Sequence, residues 1–167
     1  MKSPTFSIIT VTYNVENVLQ RTIDSIKNQS AFEHIEHIVV DGKSKDSTKD
    51  IILKNDVSIS QWISETDKGL YDAMNKGIAM ATGDYVWFIN AGDELYENTT
   101  VESLLNEAKS LPDILYGETM EYTATGEELG MRRLSTPKSL DWKSFKMGML
   151  VCHQSILIKR SLVSRCR

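Results

Sequence analysis

FSIITVTYNVENVLQRTIDSIKNQSAFEHIEHIVVDGKSKDSTKDIILKN, residues 6–55, sets the fold class. Phe6 to Val11 is a short β-branched, apolar run, which predicts a strand buried on both faces. Thr12-Tyr13-Asn14 is turn-like. Val15, Leu19, Ile23 and Ile26 then recur at helical spacing between polar residues, and that helix ends near Asn28-Gln29-Ser30. His34 to Val40 predicts a second strand, and Asp41-Gly42-Lys43-Ser44 a turn. Asp46 or Ser47 caps a helix carrying Ile51, Ile52 and Leu53. Strand, helix, strand, helix implies a parallel sheet with right-handed crossovers.

The pattern continues outward. Val57 to Ser64 predicts a third strand, and Leu70 to Ala81 a helix entered by Gly69 and closed by Thr82-Gly83. Tyr85 to Ile89, YVWFI, is the strongest strand signal in the chain. Thr99 or Thr100 caps a helix containing Val101, Leu104, Leu105 and Ala108. Asp113 to Tyr116 predicts a short strand. Thr119 to Tyr122 and Leu129 to Arg132 flank Thr125-Gly126 as a hairpin. Ser139 to Met147 predicts a short helix, and Ser155 to Ile158 a last strand. No internal repeat or linker interrupts the 167 residues, the length of one domain.

Composition narrows the class. With 41% apolar and 25% charged residues the chain has a globular profile. A net charge of −4 without a basic stripe argues against a nucleic-acid partner. Cys152 and Cys166 belong to no CxxC or Cys/His cluster and are expected as free thiols in a reducing cytosol. No signal-peptide layout and no apolar run of about 18 residues is present, which leaves peripheral membrane contact open.

In an open parallel sheet ligands bind beyond the carboxyl ends of the strands. Thr12-Tyr13-Asn14, Asp41-Gly42, Glu65-Thr66-Asp67 and Asn90-Ala91-Gly92-Asp93 follow the first four predicted strands. Three loops thus supply carboxylates: Asp41, then Glu65 or Asp67, then Asp93. Gathered together they would repel unless a cation or hydrogen-bond donors intervened. No GxxxxGK[ST] loop, GxGxxG turn or GxSxG elbow occurs. A phosphate-bearing ligand would therefore be held by side chains and a metal.

These residues carry a resemblance. The segments FSIITVTYN (6–14), IVVDGKSKDST (38–48), SETDKGLYDAMNKGIAMATGDYVWFINAGDEL (64–95), DILYGE (113–118) and CHQSILIKR (152–160) are similar to family 2 glycosyltransferases of bacterial polysaccharide type. The resemblance implies an α/β GT-A nucleotide-diphospho-sugar transferase fold, a Rossmann-like, mostly parallel sheet flanked by helices. It implies one domain over 1–167, with 1–95 binding the nucleotide sugar and 96–167 opening an incomplete acceptor-side part. It implies transfer from a nucleotide-diphosphate sugar, a UDP-sugar, to a glycan or lipid-linked acceptor, with inversion and with Mn²⁺ or Mg²⁺. Thr12, Tyr13, Asn14, Asp41, Asp67, Lys68 and Asn90 fall on the nucleotide-binding positions, with Asp41 reading the base and Asn90 reaching the ribose. Asp93 keeps the last carboxylate of the family's Asp-x-Asp-type cluster and is the expected metal ligand, with His153 beside it. A cytoplasmic location, at the inner face of the membrane if membrane contact occurs, and a homodimer are compatible with it.

The resemblance also marks gaps. The general base that deprotonates the acceptor hydroxyl is expected beyond Arg167, so the chain is expected to lack it. Alternatively an earlier residue serves as base, with Glu118, Glu121 and Asp141 as the candidates within the chain. Two other readings stand beside the transferase: a nucleotide-sugar-binding module with little turnover, and a nucleotidyltransferase on a related sheet. Trp62 and Trp87 read as core or pocket wall, Trp142 as core or a sugar-stacking residue, and His34 and His37 as structural or exposed.

Overall fold

The computed structural model describes residues 3–123, 125–133, 136–141 and 143–163. The calls on Trp142 and Cys166 lie outside the described residues. The strands are β1 (Phe6–Thr12), β2 (Ile35–Asp41), β3 (Gln61–Ser64), β4 (Tyr85–Phe88), β5 (Ile114–Tyr116), β6 (Met120–Tyr122), β7 (Glu128–Met131) and β8 (Ile156–Lys159). The helices are α1 (Leu19–Lys27), α2 (Thr48–Lys54), α3 (Leu70–Met80), α4 (Thr100–Glu107) and α5 (Arg160–Val163).

Six strands form one sheet in the order β3-β2-β1-β4-β8-β5. The first four are mutually parallel, with Thr12 level with Asp41 and Asp41 level with Ser64. Their carboxyl ends therefore share one edge. All seven residues of β1 are buried, as its unbroken apolar run predicts. The β6–β7 hairpin stands apart as a second, two-stranded sheet.

The core divides by face. Leu19, Ile23, Val39, Ile52 and Ile59 pack beneath α1 and α2. Ile9, Val11, Ile38, Val40 and Ala73 pack beneath α3. Gly77 lets α3 lie directly on β1, because a Cβ there would collide with Ile9 Cγ2. A third cluster, from Phe6 and Ile8 through Trp87 to Val101 and Leu157, joins the sheet to α4.

Several expectations need correction. The third strand begins only at Gln61; Asp56–Ser58 is a 3₁₀ turn with Val57 fully exposed. Thr82-Gly83 does not cap α3 in the left-handed manner. The Gly83 N–H instead donates to Ser7 Oγ (2.9 Å) and Glu36 Oε2 (3.2 Å). α1 starts at Leu19, later than the apolar spacing from Val15 predicts. Among the described residues of 139–147 the helical element is a 3₁₀ turn at Ser144–Met147. β8 is antiparallel and lies between β4 and β5, so the last strand in sequence enters the middle of the sheet's second half.

Candidate functional site

At the carboxyl edge the loops after β1 and β2 are stitched together. The Gly42 N–H donates to Thr12 O (2.9 Å), the Asn14 N–H to Ser44 Oγ (2.9 Å), and the Lys45 N–H to Asn14 Oδ1 (2.8 Å). Asn14 and Lys43 both adopt positive φ, 52° and 64°. Asparagine tolerates that region better than most residues, and here the bond from Lys45 holds it. The side-chain carbonyl of Asn14 is thus engaged by the loop.

Asp41 is likewise engaged within the fold. It is 0% exposed. Its Oδ1 accepts from Thr12 Oγ1 (3.2 Å) and Ser44 Oγ (2.5 Å), and its Oδ2 accepts from Ser64 Oγ (2.6 Å) and the Ser44 N–H (3.1 Å). A buried carboxylate needs such donors to be tolerated at all. In satisfying them it ties the ends of β1, β2 and β3 together.

The groups that do line a cleft come from the neighbouring loops. Thr12, Tyr13, Gly42, Asp67, Leu70 and Ala73 border a space of about 440 Å³. Tyr13 is 59% exposed there. Asp67 Oδ1 accepts from the Gly69 N–H (2.8 Å), at the turn where Gly69, with φ of 111°, admits the chain into α3. Lys76 fastens this loop from α3: its Nζ lies 2.9 Å from Glu65 Oε1 and 3.5 Å from Asp72 Oδ2, and donates to Thr66 O (3.0 Å). The hydrogen bond with Glu65 is the main cause raising the Lys76 pKa above the usual lysine value. Lys68 is exposed; its backbone N–H donates to Asp72 Oδ2 (3.0 Å).

A second, larger cleft of about 880 Å³ adjoins the loop after β4. Trp87, Asp93, Tyr96, Glu118, Glu121 and Tyr122 are among its lining residues. Asn90 meets His153, and Asp93 on the cleft lining meets Gln154, the residue after His153. Gln154 Nε2 donates to Asp93 Oδ2 (3.2 Å), and Asn90 Nδ2 lies 3.5 Å from His153 Nε2. Gln154 is itself fixed: its Oε1 accepts from Cys152 Sγ (2.6 Å) and its backbone carbonyl from Trp87 Nε1 (2.5 Å). Antiparallel β8 is what delivers this turn to the end of β4.

Three or more His, Cys, Asp or Glu side chains do not converge anywhere among the described residues. Asp93 is the acidic side chain tied to the turn that carries His153, through Gln154. That fits a hard divalent cation that takes one protein carboxylate and completes its shell with phosphate oxygens and water. Of the three candidate bases, Asp141 caps the turn after it by accepting from the Lys143 and Ser144 N–H groups, and Glu118 accepts from Thr136 Oγ1 (2.9 Å). Glu118 and Glu121 line the larger cleft.

The sequence reading missed Gln154's hold on Asp93 and the polar side of α1. Thr22 Oγ1 accepts from the Gly92 N–H (2.9 Å), and Ser25 Oγ from the Leu95 N–H (3.2 Å). Gln29 donates to Glu97 O (2.8 Å) and accepts from the Val101 N–H (3.1 Å). The signal was present as Thr22, Ser25 and Gln29 at helical spacing, but an apolar count passes over it.

A mostly parallel doubly wound sheet, with acidic and polar loops gathered on its carboxyl edge, defines an α/β protein of the GT-A fold. A crystal structure of TarS from Staphylococcus aureus superposes with a TM-score of 0.73 at 21% identity, covering 96% of this chain and 29% of that one. The mannosyltransferase PcManGT of Pyrobaculum calidifontis, in complex with GDP-Man and Mn²⁺, superposes with a TM-score of 0.67 at 19% identity, covering 99% of this chain and 47% of that one. The chain belongs to glycosyl transferase family 2, whose pattern matches residues 7–165. An uncharacterised glycosyltransferase of Mycobacterium tuberculosis is 34% identical over 98% of this chain, and a PGL/p-HBAD biosynthesis glycosyltransferase of Mycobacterium bovis is 35% identical over 97%. The chain spans 62% of the length of each of these relatives.

Proposed function

We propose that the chain is the donor-binding part of a transferase that moves a sugar from a nucleoside-diphosphate sugar, a UDP-sugar, to a glycan or lipid-linked acceptor. The observation that carries this is the pairing of two clefts on one sheet edge, with Asp93 lining the larger. The smaller cleft, walled by Tyr13, suits a base. The larger one, with its exposed tyrosines Tyr96 and Tyr122, suits sugars. The TarS fragment solved with UDP-GlcNAc shares the fold at a TM-score of 0.73 and 20% identity, over 97% of this chain and 47% of that one.

A diphosphate leaving group develops negative charge as the glycosidic bond breaks. A divalent cation, Mn²⁺ or Mg²⁺, supplies countercharge for it when bound. Asp93 would hold that cation, with His153 beside it, while Asn90 reaches the ribose and Lys68 lends charge near the phosphates. Gln154 fixes the orientation of the Asp93 carboxylate. Asp41 acts at one remove, by keeping the loop ends in register. Transfer is taken to be inverting, as the family resemblance implies, and needs a general base on the acceptor side. The boundary between donor part and acceptor part falls near residue 95, where the chain leaves the Asp93 loop. No helix among the described residues is long and apolar enough to cross a membrane. A cytoplasmic site of action with peripheral contact at the inner membrane face, and a homodimer, are compatible extensions.

Calorimetry with UDP and Mn²⁺, followed by UDP release from a panel of UDP-sugars, tests the reading. Mn²⁺-dependent UDP binding with turnover supports a transferase. Binding without transfer or hydrolysis would instead make the chain a binding module.

A further inference from the structure

The net charge of −4 hides an uneven distribution. Residues 131–167 carry nine Lys and Arg against one acid, Asp141, while residues 1–130 carry ten against 22. Five of the nine, Arg132, Arg133, Lys138, Lys143 and Lys146, fall within residues 131–147. Arg133, Lys138, Lys143 and Lys146 are exposed. So are Leu129 and Met131 on β7 and Met149 further on, while Trp142 and Phe145 interleave with the cations in sequence. The segment is fastened beside the larger cleft. The Arg132 N–H donates to Thr119 O (2.9 Å), and its guanidinium to Met149 O (3.2 Å) and Leu150 O (3.4 Å). The Thr136 N–H donates to Glu118 Oε1 (3.2 Å), and Thr136 Oγ1 to Gly117 O (3.2 Å). Gly117, Glu118, Thr119 and Leu129 all line that cleft.

We propose that residues 131–149, together with Leu129 at the start of β7, form a docking surface for an anionic lipid bilayer. This gives the peripheral membrane contact proposed above a location in the fold. Each cation in such a segment attracts acidic headgroups and strengthens binding about fivefold. The exposed Leu129, Met131 and Met149 side chains enter the headgroup boundary, where their apolar area leaves water. A nucleic acid would meet the same cations but leave that apolar area wet. The excess of acids over residues 1–130 is repelled by the bilayer, so the molecule approaches with its basic side first. Docked in this way, the larger cleft lies beside the headgroups, where a lipid-linked acceptor presents its hydroxyl; this last step rests on the transferase reading.

The test is co-sedimentation of the whole chain, without nucleotide or metal, with vesicles of phosphatidylcholine alone or containing about 30% phosphatidylglycerol. Wild type should bind the anionic vesicles and not the neutral ones. Binding should fall steeply between about 0.1 M and about 1 M salt, as the screening length shrinks from about 10 Å to about 3 Å. Arg133→Gln/Lys138→Gln should weaken it about 25-fold, whereas Lys49→Gln/Lys54→Gln, which removes two exposed cations from α2, should change it by less than about twofold. Thermal midpoints report that each variant keeps its fold, and the lipid and salt arms need the wild type alone. Equal binding to neutral and anionic vesicles, binding indifferent to salt, or equal losses in the two double variants would overturn the proposal. So would no binding to either vesicle, or tighter binding to a DNA duplex than to anionic vesicles. Because no donor is present, failure here leaves the transferase reading standing, which UDP calorimetry tests separately.

Discussion

Asp93 gives one carboxylate oxygen to Gln154, and among the described residues it belongs to no cluster of three or more His, Cys, Asp or Glu side chains that could hold a cation. Metal affinity should therefore rest on this side chain to an unusual degree. Asp93→Asn is expected to weaken Mn²⁺ binding by at least about tenfold, read by calorimetry in the presence of UDP; a bound charge–charge contact is worth more than 1.4 kcal/mol. An unchanged Mn²⁺ affinity would remove Asp93 from the site. Gln154→Ala should weaken it by a smaller factor, with the amide's orienting bond lost and the carboxylate kept. At this scale the sequence was informative about residue type and silent about direction. Asp41 and Asp67 both follow strands and both read as site carboxylates. One is sealed by Thr12, Ser44 and Ser64, and the other borders a cleft. Nothing in their spacing distinguishes them, because burial and donor count arise from three loops meeting.

Among the elements, α1 has two jobs. Leu19, Ile23 and Ile26 bury one stripe in the core, while Thr22 and Ser25, with Gln29 two residues past the helix end, hold the chain from Gly92 to Val101. Thr22 is 0% exposed and Gln29 5%. A backbone N–H deprived of such a partner costs about 1–3 kcal/mol. Thr22→Val should release the Gly92 amide, seen as faster hydrogen exchange at Gly92, with Thr22→Ser restoring protection. Equal protection in wild type and Thr22→Val would mean that the loop holds itself. α3 offers a packing counterpart. Gly77→Ala should destabilise by about 1–3 kcal/mol, read from chemical denaturation, because its methyl meets the Ile9 side chain in a close-packed contact. The apolar period announced both helices. It could not announce what their polar positions touch, since Gly92 lies 70 residues from Thr22.

For the whole molecule, one buried and one half-buried ionisable group weigh on stability in acid. His37 lies fully buried in β2; its Nε2 lies 3.2 Å from Thr10 Oγ1, and its Nδ1 has no partner. Burial lowers its pKa from 6.5 to about 4. The unfolded chain therefore binds the proton first as pH falls. The stability is fully present above pH 6.5 and is lost progressively toward pH 4, by roughly 3 kcal/mol. Glu36 joins Ser7, Gln61, Thr82 and Gly83 at the opposite end of the sheet. Burial alone would raise its pKa, but the hydrogen bonds from Ser7, Thr82 and Gly83 together lower it below 4.5. Its contribution is held above that value and lost below it. Urea denaturation at a series of pH values should show stability declining from pH 6.5 downward, with the first part of the decline flattened in His37→Gln. A flat profile between pH 6.5 and pH 4.5 in the wild type would contradict this account of His37.

By itself the sequence determined the α/β class, the first four strands and their loops, and the family. Those follow from local periodicity and from motifs that a single stretch of chain carries. Tertiary structure decided the rest. It inserted β8 antiparallel between β4 and β5, bringing His153 and Gln154 to the end of β4. It turned Asp41 into the core and left Asp67 in the cleft. The physical reason is common to both: sheet order and the direction of a side chain are set by contacts between segments far apart in the chain, and residue spacing encodes only neighbours on one element.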